Sequence, residues 1–326
     1  MSSPKQALQT RSPGNTAARV GTVGQRLGPT SRRITACLDL LLQTTQEYGC
    51  SPTLAITARV LARHPAVGQM LVERGAEVAI YGYVHTNYAL LSYERQLEHL
   101  RQARETFDRL AIPHQGFRAP YQSWNSDTLR AVAASRLAYD SSSLVGWDVV
   151  DQEMALEKGW KWDEYQRVVA LRQPQDAAQV LSLPAWTCGI VEIPGSFPDD
   201  ESLIDWLAVA NPEDVAQTWL TALGQACRRD ELLTLQLHQE RVGFWRPALE
   251  AVLARARAAR PAPWVATLSE IAGWWNERRD FRWQRIRGGS GRYAARLLAT
   301  PRASVLFKGT PPPDLQTRPW AAGWRR

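Results

Sequence analysis

Four polar side chains in this 326-residue sequence stand directly after short apolar runs: His85 after "AEVAIYGYV", Arg118 within "GFRAPY", Asp140 within "LAYDSSS" and His238 at the end of "LLTLQLH". Histidine changes charge near neutral pH, so it can pass a proton or ligate a metal. Arginine is a fixed cation with a planar fork of donors for carboxylates and oxyanions. An aspartate beside such groups orients or tunes them. By residue type alone, His85 could equally be a core or capping histidine, and Arg118 a partner for Asp140 or Asp148. The acids Asp199, Asp200 and Glu201 read as a loop and helix N-terminal feature. His64 and His99 read as solvated, His114 as a loop residue without an evident partner, and the pair Trp274–Trp275 as packing.

The elements that must carry these residues alternate. Ile34, Cys37, Leu38, Leu41 and Leu42 have helical spacing, which predicts a helix over about 32–48 that stops at Gly49. "TLAIT" (Thr53–Thr57) predicts a short buried strand, and Ala58–Arg74 a helix stopped by Gly75. A strand follows over Ala76–Val84. Tyr93, Leu97, Leu100, Phe107 and Leu110 form the stripe of a strong amphipathic helix with Ser92 as its N-cap. Further helices are predicted over Ser126–Ser135, 212–228 and Trp245–Ala259. "LLTLQLH" reads as a strand, and "WVATLSEIAGWW" as a strand followed by a helix capped by Ser269. Helices alternating with short apolar strands argue for α/β architecture with parallel strands. In an α/β barrel, chemistry is placed just beyond the strand ends.

Composition bounds the alternatives. Apolar residues are 44 % and charged residues 22 %, a globular balance. The net charge of +7 is unevenly spread: residues 1–35 carry +6 and residues 278–326 carry +10, which leaves −9 for 36–277. The basic charge therefore lies outside the patterned body, which argues against nucleic-acid binding. No apolar run has the length of a membrane helix or a signal-peptide core, so a cytoplasmic location is expected. The four cysteines form no CxxC pair and read as reduced thiols. Three parts follow: a disordered or weakly structured basic segment (1–30), the body (31–277) and a basic extension (278–326). The extension is expected to hold short strands, "FRWQRIR", "RYAARLLA" and "ASVLFKG", and then a disordered tail.

The stretches "GAEVAIYGYVHTNYALLSYERQ", "IPHQGFRAPYQSWNSDTLRAVA", "LAYDSSS", "IPGSFPDD" and "LLTLQLHQERV", in this order and spacing, resemble the polysaccharide deacetylase family, that is, the nodulation-type chitooligosaccharide deacetylase homology domain. The resemblance covers about three quarters of the chain. It implies a distorted (β/α) barrel of about seven strands, here with basic extensions at both ends. It also implies hydrolysis of acetamide C–N bonds in amino-sugar glycans. A divalent metal, commonly zinc, held by one Asp and two His, polarises the amide carbonyl and supplies the nucleophilic water. A second Asp is the general base, and a later His protonates the leaving amine.

Carried onto this sequence, the His-x-x-x-His motif falls on Tyr81 and His85, so His85 is the one metal ligand retained and a phenol replaces the other. The Arg-x-Pro-aromatic motif is intact in Arg118, Pro120 and Tyr121; it implies an Arg that holds the catalytic carboxylate and a backbone that binds the oxyanion. Asp140 best fits the Asp that tunes the acid His, with Asp148 as its rival, and His238 fits that acid by its place after the strand. Tyr121, Trp124 and Trp147 are the expected substrate contacts, and an acetylated amino-sugar glycan the expected partner. The Asp-rich first motif has no counterpart, because residues 1–38 contain neither Asp nor Glu. The resemblance therefore implies either a deacetylase with a rebuilt site or a catalytically inactive glycan-binding or regulatory protein.

Overall fold

The computed structural model describes residues 31–279 and the strand segments 282–287 and 293–298. The described residues divide into two units, one ending at Ala272 and one beginning at Gly273. The first unit begins with α1 (Ser31–Glu47), β1 (Thr53–Ile56), α2 (Ala58–Arg63), α3 (Pro65–Glu73), β2 (Glu77–Ile80), α4 (Tyr93–Arg109), β3 (Gly116–Phe117), α5 (Ser126–Ala134), β4 (Tyr139–Asp140) and β5 (Leu144–Gly146). It continues with α6 (Gln152–Glu157), α7 (Trp162–Arg172), β6 (Gln175–Asp176), β7 (Ala185–Thr187), β8 (Ile190–Glu192), β9 (Gly195–Phe197), α8 (Pro212–Arg229) and α9 (Val242–Ala258), and α10 (Leu268–Arg279) follows.

The strands form two sheets, in the orders β1-β2-β3-β4-β8-β7 and β6-β5-β9. All pairings in them are parallel except the β7–β8 hairpin. Backbone bonds extend the succession past β9, where the N–H of Ser196 donates to Thr234 O at 3.0 Å. The predicted strand over 232–238 is thus extended but not a regular ladder. Its Thr234 N–H goes to the Ser196 hydroxyl at 3.0 Å instead of to a backbone carbonyl.

The helices cover two buried clusters. One gathers Trp219, Trp245, Leu249, Phe197 and Tyr165, and the other Leu61, Leu71, Ile80, Leu100, Phe107 and Phe117. α1 joins them by presenting Leu41 to the first and Leu38 and Leu42 to the second. α4 forms as the sequence predicts: the Ser92 hydroxyl accepts the N–H of Arg95, and Leu100, Ala103 and Phe107 are buried along one face. The helix predicted over Ala58–Arg74 is broken at His64, because Pro65 supplies no N–H and disfavours helical geometry before it. The predicted strand Ala76–Val84 stops at Ile80, since Gly82 turns the chain with φ 77°. At α10, Thr267 and Glu270, not Ser269, form the cap by exchanging side-chain and backbone bonds.

Glu77 ties the opposite ends of the strands together. It accepts from the hydroxyls of Thr53 and Tyr139 at 2.7 and 2.6 Å and from the N–H of Ser269 at 3.0 Å. His114 and His99 are both less free than the sequence suggests. His114 lies 3.0 Å from Ile112 O with its ring against Phe107, and His99 sits against Tyr83 and Tyr88.

In the second unit, β10 (Arg282–Arg287) and β11 (Tyr293–Leu298) pair antiparallel, as two of the three expected strands. The third, "ASVLFKG", and the terminal segments 1–30 and 299–326 lie outside the described residues. Arg278 stacks on both Trp274 and Trp275, its guanidinium 4.9 and 4.5 Å from the ring centres. All four cysteines are free thiols. Among the described residues no helix is long and apolar enough to cross a membrane.

Gly116 is where β3 and β4 approach most closely: a Cβ there would lie 1.8 Å from the Tyr139 ring. Gly116→Ala is therefore expected to lower stability by about 1–3 kcal/mol through overpacking, measured by urea unfolding with an unchanged far-UV spectrum.

Candidate functional site

The polar residues at the strand ends fall into two linked groups. The deeper one surrounds Arg118, which follows β3 and whose guanidinium is largely shielded from water. Its Nε donates to Ser141 O and its Nη2 to the Ser141 hydroxyl, both at 2.8 Å. Asp140 accepts the N–H and the hydroxyl of Ser142 at 2.9 and 2.8 Å. Glu192, at the end of β8, accepts the N–H of Ser143 at 3.1 Å. The run Asp140–Ser143 thus supplies one partner after another to a buried cation and two buried acids. Burial pushes Asp140 up to about 8, with the charge of Glu192 adding to the effect. Burial raises Glu192 as well. Two carboxylates this close in a dry site disfavour each other's ionisation.

The outer group holds the histidines. His238 is fixed on three sides: Asp200 accepts both its backbone N–H, at 2.8 Å, and its Nδ1–H, at 2.7 Å, and its carbonyl accepts the indole N–H of Trp245 at 3.1 Å. Asp200 is wholly buried, whereas the His238 side chain is 40 % exposed. Burial works against the imidazolium, but the bond to Asp200 and the charges of Asp200, Glu201 and Asp199 outweigh it and raise His238 to about 9. Arg241 adds a cation beside Asp200 and bonds Asp205 at 2.6 Å.

His85 lies across from this pair. Its ring packs edge-on to Tyr121, 4.2 Å between centres, and 5.2 Å from Tyr81. Burial lowers its pKa, and the charges of His238 and Arg172 lower it further. Tyr81 is half-buried, with its hydroxyl accepting the N–H of Tyr121 at 3.3 Å. Burial raises its pKa in spite of Arg118 and Arg172, so it remains a neutral phenol.

Several sequence expectations change here. The acid paired with His238 is Asp200, neither Asp140 nor Asp148: Asp140 is spent on Ser142, and Asp148 is exposed. Asp199 does act in the predicted turn, accepting the N–H of Ser202 at 2.8 Å, but its neighbour does not. Trp147 is a core residue, 4 % exposed, with its indole bonded to Ser196 at 3.1 Å; it offers no face to a substrate. Trp124 is half-buried against the second core cluster. Tyr121, by contrast, is 52 % exposed beside His85. The Gln at 236, where the motif has Leu, is buried and bonds Gln122 and Ser196 O.

Two residues of the site carried no recognised signal. Asp200 sits just after β9 in "IPGSFPDD", the same strand-end position that singles out His85, so the rule that found His85 reaches it too. Arg172 ends α7, in a stretch that resembles no motif. Its Nη1 donates to Tyr121 O at 2.9 Å and to the Gln122 side chain at 3.2 Å, and its Nη2 to Glu201 at 2.9 Å.

Among the described residues no group of three His, Cys, Asp or Glu is placed to hold a metal ion. Residues 1–30 contain none of these four types, and residues 280–326 contain only Asp280 and Asp314.

Residues 28–139 match the sequence profile of the family described as polysaccharide deacetylase. No curated protein matches by sequence. Among solved structures, a protein from Mycobacterium smegmatis assigned as a polysaccharide deacetylase superposes with a TM-score of 0.61 at 20 % identity, over 82 % of this chain and 85 % of that one. One from Pseudomonas aeruginosa PAO1 with the same assignment gives 0.58 at 19 %, over 76 % and 74 %. The allantoinase PuuE gives 0.56 at 17 %, over 74 % and 72 %. At these identities the likeness establishes the fold, the distorted (β/α) barrel, of which the described strands form the two parallel sheets.

The Asp200–His238 pair yields a titration prediction. Because the folded pKa of His238 lies above its unfolded value of 6.5, the pair's contribution is fully present below that value and is lost as pH rises through about 9. Asp200→Asn is expected to return the His238 ring titration, followed by proton NMR, to the ordinary histidine range or below. A midpoint still near 9 in the variant would contradict the assignment.

Proposed function

We propose that this chain, whose residues 28–139 belong to the polysaccharide deacetylase family, engages acetylated amino-sugar glycans at the His85–Tyr121–His238 site without the family's metal-centred hydrolysis. The observation that carries this reading is Tyr81. It stands where the resemblance calls for a metal-binding histidine, it is a half-buried neutral phenol, and its hydroxyl oxygen is turned toward the N–H of Tyr121. A neutral phenol is a poor ligand for zinc beside imidazole or carboxylate.

The rest of the donor set does not fit a divalent cation either. At the site Asp200 holds His238 as the imidazolium, which has no free lone pair for a metal, and this leaves His85 as the imidazole donor. The charges acting on His85 are cationic, from His238 and Arg172. The carboxylates of the family's first motif are absent from the sequence, and the segment that would carry them has no acid at all. In the family the metal supplies a polarised carbonyl and an activated water, and the residues here do not fit it.

The parts that remain suit recognition of an acetamido sugar. The His238 imidazolium, fixed by Asp200 and Trp245, offers a charge-assisted donor on an exposed edge. The exposed ring of Tyr121 offers an apolar face for a pyranose with its polar end in water. Asp200 is fully buried and holds His238 in place, so contact with a ligand costs that donor little reordering.

Elemental analysis of the purified protein, with acetate release from an acetylated chitooligosaccharide, tests the reading. Zinc well below one per chain and no acetate above the blank are expected. Stoichiometric zinc together with acetate release would overturn it and would mean that other ligands complete the site.

A further inference from the structure

The turn that carries the exposed tyrosine is held in an unfavourable backbone form. Tyr121 and Gln122 are consecutive non-glycine residues at φ 60° and 50°, a region that Cβ-bearing residues enter only when their surroundings fix them. Three partners do so. Gln122 N–H donates to Ala119 O at 2.9 Å, closing the turn locally. The Gln122 side chain bonds Gln236, on the extended segment that leads to His238. The third partner comes from farther away: Arg172 reaches from the last position of α7 to the Tyr121 carbonyl and the Gln122 side chain.

Arg172 also closes a circuit around the site. Its Nη2 bonds Glu201, which follows Asp200, and Asp200 bonds His238. On the other side Tyr121 packs on His85 at 4.2 Å and directs its N–H to Tyr81. One guanidinium, 16 % exposed, therefore connects the turn bearing Tyr121 to the loop bearing the acid partner of His238. A planar fork with separate donors meets both at once, which a lysine cannot do with the same geometry.

We infer that Arg172 is the positioning residue of this site: it fixes the Tyr121–Gln122 turn, and so sets the direction of the Tyr121 ring and N–H toward an acetamido-sugar ligand. The inference rests on the glycan reading above for the ligand's identity, but not for the fixing of the turn. Tyr121 touches the ligand; Arg172 acts through it. The end of α7 thereby becomes part of the site, although Arg172 belongs to no recognised motif.

The test compares wild type, Arg172→Gln, Arg172→Lys and Glu201→Ala. Amide hydrogen exchange at Tyr121 and Gln122 is followed by NMR, and chitotriose binding by calorimetry. Arg172→Gln is expected to speed exchange at these two amides by about tenfold or more while the amides of α4 keep their rates, a local opening. It is also expected to weaken chitotriose binding by about tenfold. Arg172→Lys should restore part of both, and Glu201→Ala should leave the exchange unchanged, because the bonds from Arg172 to Tyr121 and Gln122 remain. Unchanged exchange at Tyr121 and Gln122 in Arg172→Gln would overturn the inference whatever the ligand does. Faster exchange with undiminished binding would also overturn it, since the turn would then not set ligand contact. Failure of wild type to bind chitotriose would instead remove the glycan reading, with the exchange arm still deciding the role of Arg172.

Discussion

A guanidinium buried at the end of a parallel strand has to be answered by acceptors that are themselves buried, and the interior of this fold is arranged around that requirement. Arg118 cannot deprotonate, and burial disfavours its charge. Ser141 supplies two acceptors at 2.8 Å, and Asp140 and Glu192 stand at the ends of β4 and β8, where the charge of Arg118 partly offsets the rise that burial imposes on both acids. In the deacetylase family the carboxylate that such an arginine holds comes from the first strand. Here that segment contains no acid, and the partners come from later strands instead. Arg118 is satisfied by these partners without a carboxylate from that segment.

The same contrast runs through the outer site. The proton-donating end is complete: Asp200 binds His238 at two points, Trp245 holds its carbonyl, and the imidazolium is favoured. The metal-binding end is not: Tyr81 is protonated and directed at a backbone N–H, and His85 lies in the field of two cations. The family's metal-dependent route to acetamide hydrolysis uses both ends: one polarises the carbonyl and the other protonates the leaving amine. Recognition of an acetamide needs only a donor and a face. On the proposed reading the site keeps the donor and the face that recognition uses and lacks the polarising centre that the family's turnover uses.

Much of the architecture was legible because it rests on local rules. The stripe and cap of α4, the helix over 212–228 that α8 matches and the alternation of helices with short strands all follow from spacing and capping. Misreadings arose where tertiary contacts override local pattern. Residues 232–238 look like a strand, yet a serine hydroxyl takes the place of a ladder carbonyl at Thr234. Trp147 stands next to an aspartate and reads as a ligand contact, but its indole finds Ser196 in the core. His85, Arg118 and His238 were found because each directly follows an apolar run. Asp200 follows one too, but its run of acids resembled a helix start, and Asp199 does serve that purpose. Arg172 was invisible: its partners are 29 to 51 positions away, and a single arginine at a helix end is ordinary.

The central claim is that ligand recognition at this site is independent of a metal, with Tyr81 in the place of a coordinating histidine. It is tested most directly by calorimetric titration of chitotriose into protein stripped with a strong chelator, then into the same protein resupplied with zinc. Binding of the same affinity in both states is the predicted result. Binding that vanishes on chelation and returns with zinc would contradict the account.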